Sequence, residues 1–378
     1  MGVRTQALVL RAERSPMPGV EAPGPHQLFR HPRLAIEERK LAPLAPAAIR
    51  AEMLYVGICG TDLHVVESDP RTGYVRGSAP LSVGPEGRVL GHEGVGRVLE
   101  VGDGVSHVRP GSLVTFESII RCHHCDPCRR GSFNQCESAV LLGMERDGLF
   151  ATLVDVPAIL AHDVSDLEPL EGGVHAAACI EPAACGYVAC SLCRVSPGEE
   201  VVVFGAGPIG LFAAMLSRLA FGAGTVHVVE PVAFRRQLAS RWADRTWDLE
   251  EFFAEGPAGS IDVLIEASGA VENVARAVER LGPNGRVALL GRSGRPLELP
   301  RIDHLITNNI SIVGSRGHLC GAFSRILRLY RAGRLPLHEA VTEVVEGLRG
   351  LQERLATPSH VSQRNCKVLA RIGPPLGA

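Results

Sequence analysis

Four closely spaced cysteines are the densest group of potential metal ligands in this chain. Cys122, Cys125, Cys128 and Cys136 are separated by two, two and seven residues in the polar, loop-like stretch RCHHCDPCRRGSFNQC. Short loops between thiolates let one segment wrap a tetrahedral Zn²⁺ at about 2.3 Å per sulfur. Four sulfurs leave no open coordination position, so the pattern predicts a structural zinc site. An iron–sulfur cluster and unrelated buried cysteines are the alternatives.

A second set of potential ligands is distributed over three short segments. The segments are residues 57–64 (GICGTDLH), 90–94 (LGHEG) and 180–182 (IEP). A catalytic zinc takes about three protein ligands and keeps one position open for water or substrate. Cys59, His92 and a carboxylate from Glu93 or Glu181 would supply such a set. Each segment alone is unspecific, but their occurrence together with the cysteine cluster indicates a catalytic metal site.

A glycine-rich turn follows the apolar run VVVF in the second half of the chain. Its sequence, GAGPIG, has the Gly-x-Gly-x-x-Gly pattern. Gly205 permits a tight turn, Gly207 lets a pyrophosphate approach the backbone, and Gly210 lets strand and helix pack closely. With Pro208 and Ile209, these glycines open a predicted helix whose N-terminus favours phosphate groups. The pattern therefore predicts a dinucleotide-binding turn.

The residue that ends the next predicted strand bears on the choice of dinucleotide. Glu230 lies twenty residues past Gly210. A carboxylate there can accept hydrogen bonds from the adenosine ribose hydroxyls and would repel a 2′-phosphate, which favours NAD. Arg235 and Arg236 favour NADP, since either guanidinium could reach a 2′-phosphate; the other interpretation of the two arginines is a solvated helix face. NAD is the predicted cofactor and NADP the alternative, with Arg235 included in the predicted site.

The elements around these motifs divide the chain into two parts. Before about residue 198, Gly, Pro and short apolar runs predict strands at 50–57, 94–101, 112–116 and 149–156. Later strands are predicted at 200–204, 225–230, 261–268, 285–291 and 310–314, alternating with helices at 208–221, 232–243, 270–281 and 322–332. Strand and helix in alternation predict a doubly wound parallel sheet, so the fold class is α/β with a second, mostly β domain.

Bulk composition limits the function classes. The 378 residues leave room for two domains, and 46% hydrophobic with 21% charged residues is a globular profile. A net charge of −2 gives no basic field for nucleic acid or an anionic membrane. The N-terminus lacks the long apolar core of a signal peptide, so the predicted location is cytoplasmic. Arginine supplies nearly all positive charge, because Lys40 and Lys367 are the only lysines.

The order and spacing of the motifs resemble the zinc-dependent medium-chain alcohol dehydrogenase superfamily over essentially the whole chain. The matching motifs are C-G-T-D-x-H at 59–64, G-H-E at 91–93, the cysteine cluster at 122–136, Glu181-Pro182 and G-x-G-P-I-G at 205–210. The resemblance implies a GroES-like catalytic domain (1–198), a Rossmann NAD(P)-binding domain (199–334) and a C-terminal return to the catalytic domain (335–378). Glu181-Pro182 is similar to the polyol, sugar, threonine and cyclitol branch.

The resemblance also implies roles for the residues near the catalytic metal. Cys59, His92 and Glu181 are the implied zinc ligands, and Glu93 is a ligand in some family members and a switch beside the metal in others. The metal would polarise the substrate oxygen. With the cysteine cluster, the implied content is two Zn²⁺ per chain, one catalytic and one structural.

Three further residues are implied to act beside that metal. Thr61 would pass the substrate hydroxyl proton onward and His64 would relay it toward solvent. Asp62 would orient His92 as a hydrogen-bond acceptor.

The implied activity is hydride transfer between NAD(P) and the secondary alcohol of a polyol, cyclitol or sugar, giving a ketone or lactone. The implied assembly is a homodimer or homotetramer whose partner is a small-molecule substrate. A threonine-type amino-alcohol dehydrogenase is the alternative among enzymes. A non-catalytic nucleotide-binding family member is the alternative of another class, and the presence of Cys59, His92 and Glu181 argues against it.

Overall fold

The structure is a computed structural model that describes residues 2–299, 301–318 and 320–374 of the chain. The chain divides into two compact units. The first unit comprises Met1–Glu181, Val341–Val361 and Lys367–Ala378, and the second comprises Pro182–Ala340 and Ser362–Cys366. A helix long and apolar enough to cross a membrane does not occur in the described part of the chain.

Strands and helices are numbered along the chain. The strands are β1 Arg4–Arg14, β2 Phe29–Lys40, β3 Ala48–Gly57, β4 Arg88–Val89, β5 Glu93–Val101, β6 Leu113–Phe116, β7 Ile119–Ile120, β8 Val140–Leu141, β9 Leu153–Pro157, β10 Ala161–Asp163, β11 Glu200–Phe204, β12 Thr225–Val229, β13 Arg245–Trp247, β14 Ile261–Glu266, β15 Leu281–Leu289, β16 Ser311–Gly314, β17 Val341–Glu346 and β18 Lys367–Arg371. The helices are α1 Gly60–Val66, α2 Asp126–Arg129, α3 Gly173–Ala178, α4 Ile180–Leu192, α5 Pro208–Leu219, α6 Ala233–Ala239, α7 Leu249–Glu255, α8 Val271–Val278, α9 Ile302–Thr307, α10 Ala322–Arg331, α11 Gly347–Leu355 and α12 Pro358–Arg364.

The first unit is built on a sheet with strand order β10-β6-β5-β3-β18-β17, and β9 pairs with β3. Neighbours are antiparallel except for β17 and β18, which are parallel. Strand β3 is buried along almost its whole length, as expected for the centre of a sheet. Ile49, Met53, Phe116 and Phe150 belong to the apolar core of this unit. The predicted strands at 50–57, 94–101 and 112–116 are present with small shifts at their ends, whereas the one predicted at 149–156 begins only at Leu153.

A long ribbon formed by β1 and β2 was not predicted. The two strands pair antiparallel, with an irregularity between Arg11 and Glu13, and β4 pairs with the other side of β1. Strand β2 is rich in charge and contains Pro32, which argues against a central strand. It lies at the edge of the sheet β2-β1-β4, where proline and charged side chains are tolerated.

The second unit has the parallel sheet that the sequence predicts. Its strand order is β13-β12-β11-β14-β15-β16, and all neighbours are parallel. The middle residues of β11, Val201–Val203, are fully buried, which explains the continuous apolar run. The chain proceeds from β11 to β12 on one side and to β14 on the other. Such a reversal of strand order opens a crevice at the carboxyl end of the sheet, where ligands bind in open α/β folds.

Candidate active site and zinc centres

Two paired strands bring the distant segments of the predicted catalytic metal site together. Cys59 follows β3 and precedes α1, and His92 immediately precedes β5. Strands β3 and β5 pair so that Gly57 lies opposite Glu93. The end of one strand and the start of the other are therefore neighbours, although about thirty residues separate them in sequence.

The side chains of Cys59, His92 and Glu93 point at one spot. One potential ligand atom from each lies within 4.8 Å of the others. His92 and Glu93 are buried, and Cys59 is partly exposed. A thiol, an imidazole and a carboxylate are the donors that a catalytic zinc uses.

Glu181 is held next to this group by a hydrogen bond. It lies at the start of α4, is buried, and accepts a hydrogen bond of 3.0 Å from the Ser118 hydroxyl. Its charge contributes, after burial and Asp62, to raising the pKa of the Cys59 thiol. The structure thus brings both predicted carboxylates, Glu93 and Glu181, to the neighbourhood of Cys59. Sequence reasoning did not find Ser118, because a lone serine in a loop carries no signal.

Two observations bear on whether a metal fits here: the protonation state of the Cys59 thiol, and the buried polar atoms of His92 and Asp62 that lack a hydrogen-bond partner. Burial, followed by the charge of Asp62, raises the pKa of Cys59 to about 11. A coordinated divalent cation reverses that preference, because it deprotonates the thiol outright. His92 Nδ1 and Asp62 Oδ1 lie 3.9 Å apart, and both atoms lack a hydrogen-bond partner among the described residues. Unpartnered buried polar atoms are uncommon, and these two flank a donor set that fits zinc.

Asp62 was predicted to orient His92 by a hydrogen bond, and the distance between the two side chains does not show that bond. At 3.9 Å from His92 Nδ1, its Oδ1 atom faces the ring but is beyond hydrogen-bond range. Its Oδ2 atom accepts a hydrogen bond of 2.9 Å from the backbone N–H of Cys59. Asp62 therefore fixes the start of α1 and lies beside His92 without a direct bond to it.

Three glycines allow the backbone before His92 to pack closely. Gly91 has φ of +89°, and a Cβ there would overlap the ring of Phe150. A Cβ at Gly143 or Gly148 would overlap the carbonyl oxygen of Gly91. The position of His92 therefore requires glycine at these three positions, because a side chain at any of them would push the backbone away.

The predicted relay residues lie on α1, which starts directly after Cys59. The Cys59 thiol donates a long hydrogen bond of 3.7 Å to the Thr61 hydroxyl. His64 is one turn further along the helix and has an exposed surface. The surrounding chain still removes water from part of its ring, and this desolvation lowers the pKa of His64. The ring is therefore neutral at pH 7 and able to accept a proton.

Sequence reasoning missed a buried lysine beside the candidate metal site. Lys367, the first residue of β18, is fully buried, forms an ion pair with Glu93 and donates a hydrogen bond of 2.9 Å to the Ile58 carbonyl. Burial lowers its pKa to about 8. The sequence did contain a signal for Lys367, because lysine is rare in this chain: all but two of the 39 lysine and arginine residues are arginines.

The four-cysteine cluster forms a separate site in the first unit. The sulfurs of Cys122, Cys125, Cys128 and Cys136 all lie within 4.8 Å of one another, and none is in a disulfide. Four thiolates around one zinc are roughly 3.8 Å apart. Backbone N–H groups, led by that of His124, lower the pKa of Cys122 to about 6, so its thiolate form is favoured. The cluster fits a closed tetrahedral zinc site.

The glycine-rich turn lies between β11 and α5 in the second unit. Gly205 has φ of +89°, and a Cβ at Gly210 would overlap the Gly205 carbonyl oxygen. Gly207 has open space by comparison, because the nearest atom to a Cβ there is Arg235 Nη1 at 3.7 Å. Pro208 and Ile209 begin the twelve-residue helix α5. The turn is therefore tight where it packs and open where a phosphate would approach.

Glu230 lies just after β12, and its side chain is buried. Its two carboxylate oxygens accept hydrogen bonds from the backbone N–H groups of Ala206 (2.7 Å) and Val232 (2.9 Å). Arg236 donates to the carbonyls of Glu230 and Pro231, so its guanidinium stabilises the strand end.

Arg235 takes a different position from Arg236. Its Nε donates a hydrogen bond of 2.8 Å to the carbonyl of Asn365, while its Nη1 lies next to Gly207. One positive charge is thus placed at the glycine-rich turn.

Comparison with known proteins places the chain among dehydrogenases. It matches the model of the alcohol dehydrogenase GroES-like domain over residues 45–166 and that of the zinc-binding dehydrogenase domain over residues 208–331. It is 30% identical over 325 residues to the L-threonine 3-dehydrogenase of Pyrococcus horikoshii, covering 82% of this chain and 87% of the relative. The chain belongs to the zinc-dependent medium-chain alcohol dehydrogenase superfamily. The predicted superfamily, enzyme class and fold class are thereby confirmed.

Other members show the range of this superfamily. The dehydrogenase is 28% identical over 320 residues to L-arabinitol 4-dehydrogenase of Aspergillus oryzae, covering 79% of the chain and 80% of the relative. A solved structure of a candidate alcohol dehydrogenase from Thermotoga maritima superposes with a TM-score of 0.86 at 28% identity, covering 97% of the dehydrogenase and all of that chain. The dehydrogenase thus shares its overall fold with a solved structure. Its sequence is similar to those of both a threonine dehydrogenase and a polyol dehydrogenase.

Proposed function

We propose that this dehydrogenase oxidises a secondary alcohol of a polyol, cyclitol or sugar, with NAD as the cofactor and NADP as the alternative. The observation that carries the proposal is the convergence of Cys59, His92 and Glu93, whose ligand atoms lie within 4.8 Å of one another in a largely buried site. Glu181 supplies a second buried carboxylate there. A relative that acts on arabinitol supports the polyol class.

The residues divide the chemistry among them. When bound, zinc supplies Lewis acidity toward the substrate oxygen, and the nicotinamide ring accepts the hydride. Cys59, His92 and one of the two glutamates would hold the metal. The Thr61 hydroxyl accepts the alcohol proton while passing its own on to His64, which delivers it to solvent. One hydride and one proton leave the alcohol, which becomes a ketone, or a lactone when the substrate is a cyclic hemiacetal.

In the second unit, the residues of the turn between β11 and α5 hold the dinucleotide. The open backbone at Gly207, together with the start of α5 at Pro208 and Ile209, would hold the pyrophosphate, while Gly205 and Gly210 make the turn tight. Glu230 accepts hydrogen bonds from the adenosine ribose through the acceptor capacity left on its carboxylate. Arg235 adds positive charge beside the phosphates.

Three broader features belong to the proposal. The domain division is 1–198, 199–334 and 335–378, the assembly is a homodimer or homotetramer, and the location is cytoplasmic without nucleic-acid or membrane partners. Size-exclusion chromatography with light scattering measures the assembly, and a monomer would contradict that part.

Oxidation of threonine is the second candidate, because L-threonine 3-dehydrogenase of Pyrococcus horikoshii is 30% identical to this chain. Both reactions oxidise a secondary alcohol, so the metal site alone does not separate them.

A substrate panel tests the proposal. Nicotinamide reduction is followed by absorbance with sugars, inositols, aminocyclitols, linear polyols and threonine, using NAD and NADP in parallel and Cys59→Ser as the inactive control. Turnover of a cyclic or linear polyol or a sugar with NAD is expected. Turnover of threonine alone would favour the second candidate, and no turnover in a fully zinc-loaded protein would contradict the substrate class.

A further inference from the structure

A cavity opens beside the irregularity in the ribbon of β1 and β2. Its volume is about 560 Å³, and its lining consists of Arg11, Ala12, Glu13, His31 and Arg33. Pockets that hold small molecules in proteins have volumes of roughly 300–1,000 Å³. The cavity is therefore large enough for a small ligand, and its lining shares no residue with the candidate metal site or the glycine-rich turn.

Two arginines of this lining face each other across the ribbon. Arg11 and Arg33 are directly opposite in the register of β1 and β2. Residues that are opposite in an antiparallel pair have neighbouring side chains on one face, and like charges there destabilise the pair. An anion bound between the two guanidinium groups would remove that repulsion.

The contacts of the two arginines leave donors for such an anion. Arg11 donates hydrogen bonds to both carboxylate oxygens of Glu37, at 2.7 and 3.0 Å, and to the Pro85 carbonyl at 3.0 Å. A guanidinium has more N–H groups than these bonds use. Glu37 also lies 3.1 Å from Arg39, so one carboxylate serves two guanidinium groups. Arg33 forms no hydrogen bond or ion pair within the part of the chain that the structure describes.

The imidazole ring of His31 gives the cavity a further nitrogen. His31 has φ of +51°, which is uncommon for a residue other than glycine. Its backbone N–H donates a hydrogen bond of 3.0 Å to the Gly73 carbonyl, and its ring packs against Gly73, where a Cβ would lie 2.8 Å from the ring atom Cε1. Such backbone conformations persist where the surrounding structure holds them, and they are frequent at ligand sites. The ring is therefore fixed in the lining of the cavity.

The irregularity of the ribbon lies in the lining itself. The register of β1 with β2 shifts between Arg11 and Glu13, at Ala12. Irregularities of this kind re-aim side chains and are frequent beside functional sites. Beyond the shift, Glu13 lies opposite Arg30, so an arginine also faces the one acidic residue among the described residues of the lining. The cavity therefore has more positive than negative charge around it.

We propose that this cavity is a binding site for the phosphate group of a small phosphorylated metabolite. Arg33 and Arg11 donate charge-assisted hydrogen bonds to the phosphate oxygens, the His31 ring adds a donor, and the remaining space holds the rest of the ligand. A phosphate carries nearly two negative charges at pH 7 and so balances two guanidinium groups, which a single carboxylate does not. The site goes beyond the proposed function, since it uses none of the residues assigned to the metal, the proton relay or the dinucleotide.

Calorimetric titration with inorganic phosphate tests this site. The zinc-loaded protein is saturated with NADH, so that the dinucleotide site is filled, and is kept at low ionic strength, because salt screens exposed charges. Native protein is expected to bind one phosphate per chain with saturation. Arg33→Gln is expected to weaken binding about tenfold, which corresponds to one charge-assisted hydrogen bond. Glu13→Gln is expected to strengthen binding, because it removes the negative charge of the lining.

Arg349→Gln is the matched control. Arg349 is exposed on α11 of the same unit, and its replacement changes the net charge of the protein equally. This variant is expected to bind phosphate as native protein does. Equal weakening in Arg33→Gln and Arg349→Gln, or the lack of saturable binding in native protein, would overturn the proposal.

Thermal unfolding gives an independent measurement. A ligand that binds only the folded protein raises its melting temperature, so phosphate should stabilise native protein more than Arg33→Gln. In phosphate-free buffer, Arg33→Gln should be at least as stable as native protein, because the repulsion with Arg11 is gone. A clearly less stable Arg33→Gln in that buffer would contradict the repulsion from which the site is inferred.

Two further titrations distinguish the source of the phosphate group. Glucose 6-phosphate is expected to bind more tightly than inorganic phosphate, since the cavity has room for the sugar, and Arg33→Gln should weaken that binding too. Vesicles that contain phosphatidic acid present a phosphate on a membrane surface. Binding of the protein to such vesicles, without binding of either soluble phosphate, would contradict a small metabolite as the ligand.

Discussion

At the scale of single residues, Thr61 and His64 give the proposed proton transfer a direction. Thr61 contacts the sulfur of Cys59, and His64 lies one helical turn away with an exposed surface. A proton that leaves the buried metal site along α1 therefore reaches water within one turn. The relay requires that His64 be neutral when the proton arrives.

The pH dependence of oxidation tests this relay. Desolvation lowers the pKa of His64 below its ordinary value of about 6.5, so the ring protonates only in mildly acidic solution. The kcat/KM for alcohol oxidation is expected to fall as pH decreases through that lowered pKa, because an imidazolium cannot accept the proton. His64→Asn is expected to lower the rate at neutral pH and to remove this acidic limb. A profile for His64→Asn that matches the native one would exclude His64 from the relay.

Cofactor preference is the second test at this scale. Glu230→Gln replaces a charged acceptor by a neutral side chain and is expected to weaken NAD use by about 1.5–3 kcal/mol, measured as kcat/KM, while reducing the preference for NAD over NADP. Glu266→Gln is the matched control, because Glu266 is also a buried carboxylate at a strand end that accepts backbone N–H groups, here from Ser268 and Gly269. The two variants should differ in the NAD/NADP ratio. An unchanged ratio in Glu230→Gln would contradict its role.

Sequence reasoning identified the residues whose side chains could bind a metal, but it missed the residues that contact those side chains. Cys59, His92 and Glu181 stand out because thiol, imidazole and carboxylate are metal donors. Lys367 contacts Glu93 and Ser118 contacts Glu181, and both contacts depend on the packing of distant segments. A sequence does not display such contacts.

At the scale of elements, the pairing of β3 with β5 brings the residues of the candidate metal site together. The register that pairs Gly57 with Glu93 sets the distance between the segments of Cys59 and His92. A shift of one residue would turn every side chain of the strand to the opposite face. The backbone that leads into β5 must also keep its path, and Gly91, the residue before His92, makes that path possible.

Gly91→Ala tests this dependence. The positive φ of Gly91 alone costs about 1–3 kcal/mol for alanine, and overlap with Phe150 adds roughly 1–3 kcal/mol more. Gly104→Ala is the control, because Gly104 has φ of +81° but no atom within 4 Å of a Cβ. Denaturant unfolding should show a larger loss for Gly91→Ala, accompanied by loss of the catalytic zinc. Equal losses in the two variants, with zinc retained, would contradict the packing argument.

The elements were predicted best where the pattern is strong. The parallel sheet followed from buried apolar runs such as β11 and from the helices between them. The ribbon of β1 and β2 was missed, because its charged residues and Pro32 resemble a loop until the edge position of β2 is known. Edge strands tolerate what central strands exclude, and the edge position is a property of the sheet rather than of the segment.

At the scale of the whole molecule, the two candidate zinc sites have different structures and different expected functions. The cysteine cluster offers four sulfurs and no open position, and Cys59 with His92 lies in a site that also holds two carboxylates. Superfamily membership confirms zinc as the metal. Loss of the first site should affect stability, and loss of the second should affect turnover.

Metal content, turnover and thermal unfolding of three variants distinguish the two candidate zinc sites. Native protein is expected to hold about two zinc ions per chain. Cys59→Ser should hold about one and lose turnover with its stability kept, whereas Cys128→Ser should also hold about one but unfold at a lower temperature. Cys320→Ser, which changes an exposed cysteine, should match the native protein in both measurements. Retained turnover in Cys59→Ser, or a native protein that binds zinc only in the cysteine cluster, would show that Cys59 does not hold a catalytic zinc.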